Sequence, residues 1–237
     1  MMELDKFNNL NEWPLKNINE FIMLCKKHLI KEIFLTGTNT DPLLFKHHEK
    51  LTEILKENGF IVGIRTNGTA KNFLKELSLY DKGSLTICST NHVINKKMMG
   101  GEPPNISAVL NFIKDLKVNI VLGNENIGID IWKTINNIYD FGIRKVNLRE
   151  PYGQPHIGWE SFMTKEYNCN HLGMPQWFFK DMLITYWDVH YVEVESVNLY
   201  ASGRISEDYP ITRGYSEKGS VMPQYNFRSG RHNKQWI

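Results

Sequence analysis

The sequence predicts an α/β fold: a parallel βα-repeat part-barrel with a C-terminal α+β appendage. Three observations predict it. Five apolar runs of strand length begin at residues 32, 60, 84, 118 and 145, separated by 28, 24, 34 and 27 residues, the period of a βα unit. The segments between them carry apolar residues at helical spacing. The runs are more continuous than alternating, the pattern of strands covered on both faces.

Taken in order, Asn17–Leu29 reads as a helix. Asn17 is in N-cap position, Glu20 completes a capping box, and Phe21, Ile22, Leu24, Cys25 and Leu29 form an apolar stripe that places Cys25 in the core. Glu32–Thr36 is the first strand, Leu43–Asn58 a helix closed by Gly59, and Phe60–Thr66 the second strand. Ala70–Leu79 is a short helix before the strand Ser84–Cys88. Pro104–Leu116 is a helix with proline in its first turn, Val118–Leu122 a strand, Ile129–Phe141 a helix stopped by Gly142, and Lys145–Leu148 the fifth strand. A strand before Asn17 would complete a sixth unit, and the opening residues show none.

Residues 1–150 therefore form the part-barrel, and 151–237 an extension packed on it. In the extension PYGQPHIGWE is a loop, Met174–Met182 a short helix, and Thr185–Tyr200 a strand or bent pair. Ala201–Gly203 is a turn and Arg204–Ile211 a returning hairpin arm. The apolar content of this region is thin for a second core.

Composition narrows the function classes. A net charge of +2 argues against nucleic acid as a partner by bulk charge. The last 37 residues carry six Lys or Arg against three acids, a local excess open to an anionic substrate or simply to solvent. No apolar run approaches a membrane span and the start has no signal-peptide pattern. Cys25, Cys88 and Cys169 are odd in number and far apart. They form no CxxC pair, zinc set or disulfide framework, which fits a reducing cytoplasm. No histidine pair has metal-ligand spacing, and His47-His48 read as an exposed helix face.

The five strand ends share a chemistry. They read Thr36-Gly37-Thr38-Asn39-Thr40-Asp41, Thr66-Asn67-Gly68, Ser89-Thr90-Asn91, Asn124-Glu125-Asn126 and Arg149-Glu150. Turns favour such residues anyway. Small polar residues after every parallel strand also make a rim for a polar small molecule, because ligands bind at that edge of such sheets. Arg149 and Glu150 suit a carboxylate or ribose, or each other.

The order TGxxxDPLL, helix, then strand and TNGT resembles the second and third units of radical S-adenosylmethionine enzymes, a TIM-like part-barrel family. LTICST followed by KKMMGG is similar to that family's ribose-contacting strand and the helix behind it. VNIVLGNENI and KVNLREPYG are similar to its fifth and sixth strands. The resemblance covers about residues 17–152. It implies S-adenosylmethionine at Thr36, Gly37, Thr38, Asn39, Thr66, Asn67, Ser89, Asn124 and Arg149, and assigns no catalytic residue and no metal ligand in this chain.

Two departures qualify it. Thr36-Gly37-Thr38-Asn39 stands where the family has GGEP, so the acid that meets the methionine amino group is missing unless Asp41 substitutes. The CxxxCxxC that holds a [4Fe–4S] cluster has no counterpart, since residues 1–16 contain no cysteine. The expectation is a truncated or degenerate member, with a cluster only if an upstream cysteine segment exists. A complete form would take an electron from a reductant protein, cleave S-adenosylmethionine and abstract hydrogen from a small-molecule or peptide substrate. The alternatives are a non-catalytic binding protein or subunit on the same barrel, and an ordinary βα-barrel enzyme using Asp41, Glu125, Arg149 and Glu150.

Overall fold

The computed structural model describes residues 10–37, 40–68, 70, 73–150, 169–171, 174–187 and 196–207. Within them each apolar run of the N-terminal region is a strand: β1 (Glu32–Thr36), β2 (Ile61–Thr66), β3 (Lys82–Ile87), β4 (Asp115–Val121) and β5 (Lys145–Arg149). They lie side by side in chain order, and every neighbouring pair is parallel. Parallel neighbours need crossovers. α2 (His48–Glu57), α3 (Phe73–Glu76), α4 (His92–Met99), α5 (Ile106–Leu110) and α6 (Ile129–Asp140) supply them, and α1 (Ile18–Lys27) leads into β1.

The strands are two-faced in chemistry, aliphatic toward the helices and polar on the other side, where Ser84, Asn119, Asn147 and Thr185 are buried as well. Val62 and Ile64, Leu85 and Ile87, Val118 and Ile120, and Val146 and Leu148 pack with Leu51 and Leu55 of α2 and Ile131, Ile135 and Ile138 of α6. Successive strand residues point to opposite faces. All seven charged residues of these strands (Glu32, Arg65, Lys82, Asp115, Lys117, Lys145 and Arg149) fall on the alternate positions, away from the helices.

Local differences have local causes. Asn17 does cap α1, but with φ of 62° and no side-chain bond to the helix; its amide donates instead to the Gly203 carbonyl at 2.9 Å, so the capping box does not form. The helix expected from Leu43 starts at His48, because Asp41 caps a short 3₁₀ turn, Pro42–Leu44, first. α4, foreseen only through the family resemblance, has its own signals. The Asn91 side chain accepts from the Val93 and Ile94 N–H groups, and Gly100 at φ 77° ends the helix.

The largest correction is at Met174–Met182, where a strand replaces the expected helix. β7 (Met174–Phe179) and β8 (Met182–Trp187) form an antiparallel hairpin across Lys180-Asp181, and β6 (Cys169–His171) pairs with β7. Trp177 is buried while Phe178 is exposed, the period of a strand. β8 lies parallel to β5, so the eight-stranded sheet runs β1-β2-β3-β4-β5-β8-β7-β6 and stays open. β9 (Asn198–Leu199) and β10 (Ile205–Ser206) make the expected hairpin around Ala201–Gly203. The loop at 151–160, the far part of the hairpin arm and the basic tail from 208 lie outside the described residues.

Candidate functional site

Because β1 to β5 are parallel and adjacent, their C-terminal ends form one continuous edge. The structure brings Thr36, Gly37, Thr66, Asn67, Ser89, Asn124 and Arg149 to that edge in strand order. Thr38 and Asn39 lie outside the described residues. The residues of this edge differ in role, and buried polar side chains decide which is which.

Asp41 is the brace of the first half. It is 6% exposed, and both carboxylate oxygens are engaged. One accepts from the Leu43 N–H at 3.0 Å; the other accepts from the Thr66 hydroxyl and from the Asn67 N–H at 3.0 Å. Thr66 Oγ1 in turn accepts from the Gly68 N–H at 2.9 Å. Asp41 therefore ties the loop after β1 to the loop after β2. Gly37 serves the same fold-back, since a Cβ there would run into the Thr40 carbonyl. Its glycine is required by the loop itself.

Two asparagines and a threonine brace the second half. Asn95 Oδ1 accepts from the N–H groups of Cys88 and Ser89 at 2.9 and 3.2 Å. Asn126, fully buried, donates to the Cys88 and Val121 carbonyls at 2.6 and 2.8 Å and accepts from the Gly123 N–H at 2.9 Å. Ser89 is also fully buried, 3.2 Å from Thr134 Oγ1, and its hydroxyl accepts from the Asn91 N–H at 2.9 Å. Its place is beneath the rim. Asn124 stands exposed on the turn after β4. Asn95 and Thr134 were not singled out from sequence, and Asn126 entered only as the last member of the strand end Asn124-Glu125-Asn126, although Asn in turns is a general signal.

The carboxylates do not gather into an acid–base site. Asp41 is held as above. Glu125 is exposed and paired with Lys97 at 3.1 Å, which holds its carboxyl below the usual range. Glu150 is buried and accepts from the Tyr186 hydroxyl. His48 is a correction: it is buried, 3.0 Å from both the Tyr80 hydroxyl and Glu76 Oε2.

The described cysteines do not fit an iron–sulfur cluster. Cys25 is in the apolar face of α1 and Cys88 at the end of β3, and burial pushes each thiol up to about 11. A ligand must be a thiolate, which such burial opposes. Cys169 begins β6. Among the described residues no three His, Cys, Asp or Glu side chains converge.

Below the rim, the face of the sheet away from the helices carries groups that were not singled out from sequence. Arg65, Ser84 and Lys117 share one rung across β2, β3 and β4. Thr86, Asn119, Asn147, Thr185 and Gln176 share the next rung toward the rim, running from β3 to β7. The signal was present as charges inside apolar runs, Arg65 in IVGIRT and Lys117 in DLKVNIV.

No protein-family model and no curated protein matches the chain. Among solved structures it is similar to SuiB of Streptococcus suis, at 16% identity and a TM-score of 0.46, covering 65% of this chain and 37% of SuiB. SuiB bound to S-adenosylmethionine gives 14% identity and a TM-score of 0.43, over 61% of this chain and 36% of that one. TYW1 with a lysine-pyruvate adduct bound gives 15% and 0.41, over 58% and 51%. The chain thus spans just over a third of SuiB and half of TYW1. The likeness is one of chain path and assigns no residue a role.

Proposed function

We propose that the C-terminal rim of β1 to β5 binds the nucleoside and amino-acid portions of S-adenosylmethionine, and that the chain is a radical S-adenosylmethionine-type part-barrel. The observation that carries this reading is the braced rim. Asp41 and Asn126 hold adjacent loops in place, and the edge presents glycine backbone, hydroxyl, amide and guanidinium groups together. That set suits a ribose, a base and an α-carboxylate in one ligand. The order TGxxxDPLL then TNGT supports the same ligand. When bound, S-adenosylmethionine supplies a C–S bond whose one-electron reduction leads to hydrogen abstraction from a substrate.

The chain's own residues bind and orient. Arg149 pairs with the carboxylate, the Gly37 backbone faces the amino end, and Asn124 hydrogen-bonds the ribose. Asp41 does not meet the amino group, because its oxygens already take three donors. The substrate, a small molecule or peptide, and a reductant protein belong to the complete reaction. Calorimetry with S-adenosylhomocysteine tests the reading: saturable binding, weakened by Arg149→Ala and Asn124→Ala, is expected. Absence of binding by calorimetry and by amide shifts along the rim overturns it.

A second reading rests on the buried thiols. With Cys25 and Cys88 protonated in the core, the described residues hold the nucleoside without cleaving it. Anaerobic reconstitution of the chain with iron and sulfide is then expected to leave no four-iron cluster. Stoichiometric loading that vanishes in Cys25→Ala or Cys88→Ala would refute this.

A further inference from the structure

The open face of the sheet divides into a neutralised base and a cationic middle. At the base, where the strands begin, Lys82 pairs with Glu32 and lies 4.0 Å from Asp115, while Lys145 sits 2.8 Å from Asp115. Two acids and two lysines balance there. One step toward the rim, Arg65 and Lys117 share a rung with Ser84 between them. Arg65 lies against the Phe34 ring, 5.1 Å from its centroid, and Lys117 has no hydrogen-bond or ion-pair partner among the described residues. Arg149 stands above them at the end of β5. Among the described acids Asp115 acts on Lys117 through space without an ion pair, and Glu150 turns to the helix side, to Tyr186.

Two further groups on the same face lack partners. The Asn147 side chain makes no hydrogen bond among the described residues. Trp187, the register partner of Arg149, has a buried indole N–H with no acceptor among the described residues. Buried polar groups are nearly always satisfied, so that N–H asks for a partner. An amide takes either a donor or an acceptor. Arg, Lys and indole groups donate only.

We infer that the substrate is anionic, its carboxylate or phosphate held between Arg65 and Lys117 and its polar body along Asn147 and Thr185. The substrate class rests on the S-adenosylmethionine reading of the rim; the anion site itself stands on the geometry alone. Lys117 is four residues before the end of β4, ~13 Å along the strand, whereas Arg65 is one residue before the end of β2 and lies in register with Thr36, so the site runs up to the rim at β1 and β2. Arg65 and Lys117 are two strands apart, ~10 Å at the backbone, a gap that two long cationic side chains close around one anion. Burial first, and then the charges of Arg65, Arg149 and Lys145, hold the Lys117 pKa down at about 8 against the pull of Asp115, and a bound anion relieves both costs.

The probes are inorganic phosphate and succinate, titrated into the full chain at fixed ionic strength and followed by amide and lysine side-chain NMR. S-adenosylhomocysteine is titrated in parallel by calorimetry. Binding of at least one anion is expected, weakened at least about tenfold in Lys117→Met and in Arg65→Gln, and largely kept in Lys117→Arg. S-adenosylhomocysteine affinity is expected to stay within about twofold in Lys117→Met, the variant that lies deep in β4. Unchanged anion binding in both charge-removing variants, or no binding to the native chain, overturns the site. Parallel loss of S-adenosylhomocysteine affinity overturns the substrate assignment, because the cations would then serve the cofactor's own carboxylate. Failure of S-adenosylhomocysteine to bind the native chain, with Lys117-dependent anion binding intact, supports the anion site and refutes the reading of the rim instead.

Discussion

The two faces of the same five strands obey opposite rules. On the helix side Val62, Ile64, Leu85, Ile87, Val118 and Ile120 are wholly buried, and the sheet is a wall of aliphatic packing. On the open side the same strands place Arg65, Ser84, Thr86, Lys117, Asn119 and Asn147. Aliphatic packing is concentrated on one side and polar and charged groups on the other, one residue apart. Adjacent substitutions measure that division. Leu85→Ala leaves a cavity under the helices and should cost ~3 kcal/mol or more. Ser84→Ala, one position away, removes the acceptor of the Asn119 amide at 2.6 Å and should cost ~1–2 kcal/mol. Chemical denaturation of the two variants checks this; equal losses would break the comparison.

The rim is where the two faces meet, and it is built by buried polar groups in place of aliphatic ones. Asp41→Ala strands the Leu43 and Asn67 N–H groups and the Thr66 hydroxyl together. The expected loss is ~2 kcal/mol, with faster hydrogen exchange at Asn67 and Gly68 while the amides of β4 stay protected. Asp41→Asn keeps the shape but supplies one acceptor oxygen, and should fall between. If exchange rises evenly across the sheet, Asp41 is part of the global core and not a local brace.

The parallel order of β1 to β5 was legible because apolar runs at βα spacing admit few other arrangements. The rim was legible as a row of polar strand ends, but not its internal division. Ser89 and Asn124 look alike in sequence, yet one is fully buried and the other exposed. That difference arises from Thr134 and Asn95, which reach Ser89 from other elements. The β7–β8 hairpin was misread because MPQWFFKDM holds apolar residues at both helical and strand spacings. A place beside β5 decided between them, and tertiary context of that kind overrides propensity. Arg65 and Lys117 were overlooked for the opposite reason. Apolar neighbours made their runs look continuous, although a single charge at alternate positions was already the mark of an open face.

The smallest expected effect tests that open face directly. Lys117 is half-buried, and desolvation, then Arg65, Arg149 and Lys145, hold its pKa down at about 8, with Asp115 opposing. In the unfolded chain a lysine titrates near its ordinary value of about 10.4. Between those values the unfolded state binds more protons than the folded state, so stability rises with pH across that window. Below about pH 8 the ammonium is charged in both states and its cost is fully present. Lys117→Met should therefore stabilise the chain by ~1 kcal/mol at pH 7, after allowance for solvent screening. The gain should fade as pH approaches 10.5. Saturating phosphate should shrink it too, because a bound anion favours the charged lysine in the native protein and is lost in the variant. Thermal melts of both proteins from pH 6 to 10, with and without phosphate, read the sign. A variant that is less stable than the native chain at pH 7 would mean that Lys117 is already paired in the folded protein, and the cationic middle of the open face would then have no unmet charge to offer a ligand.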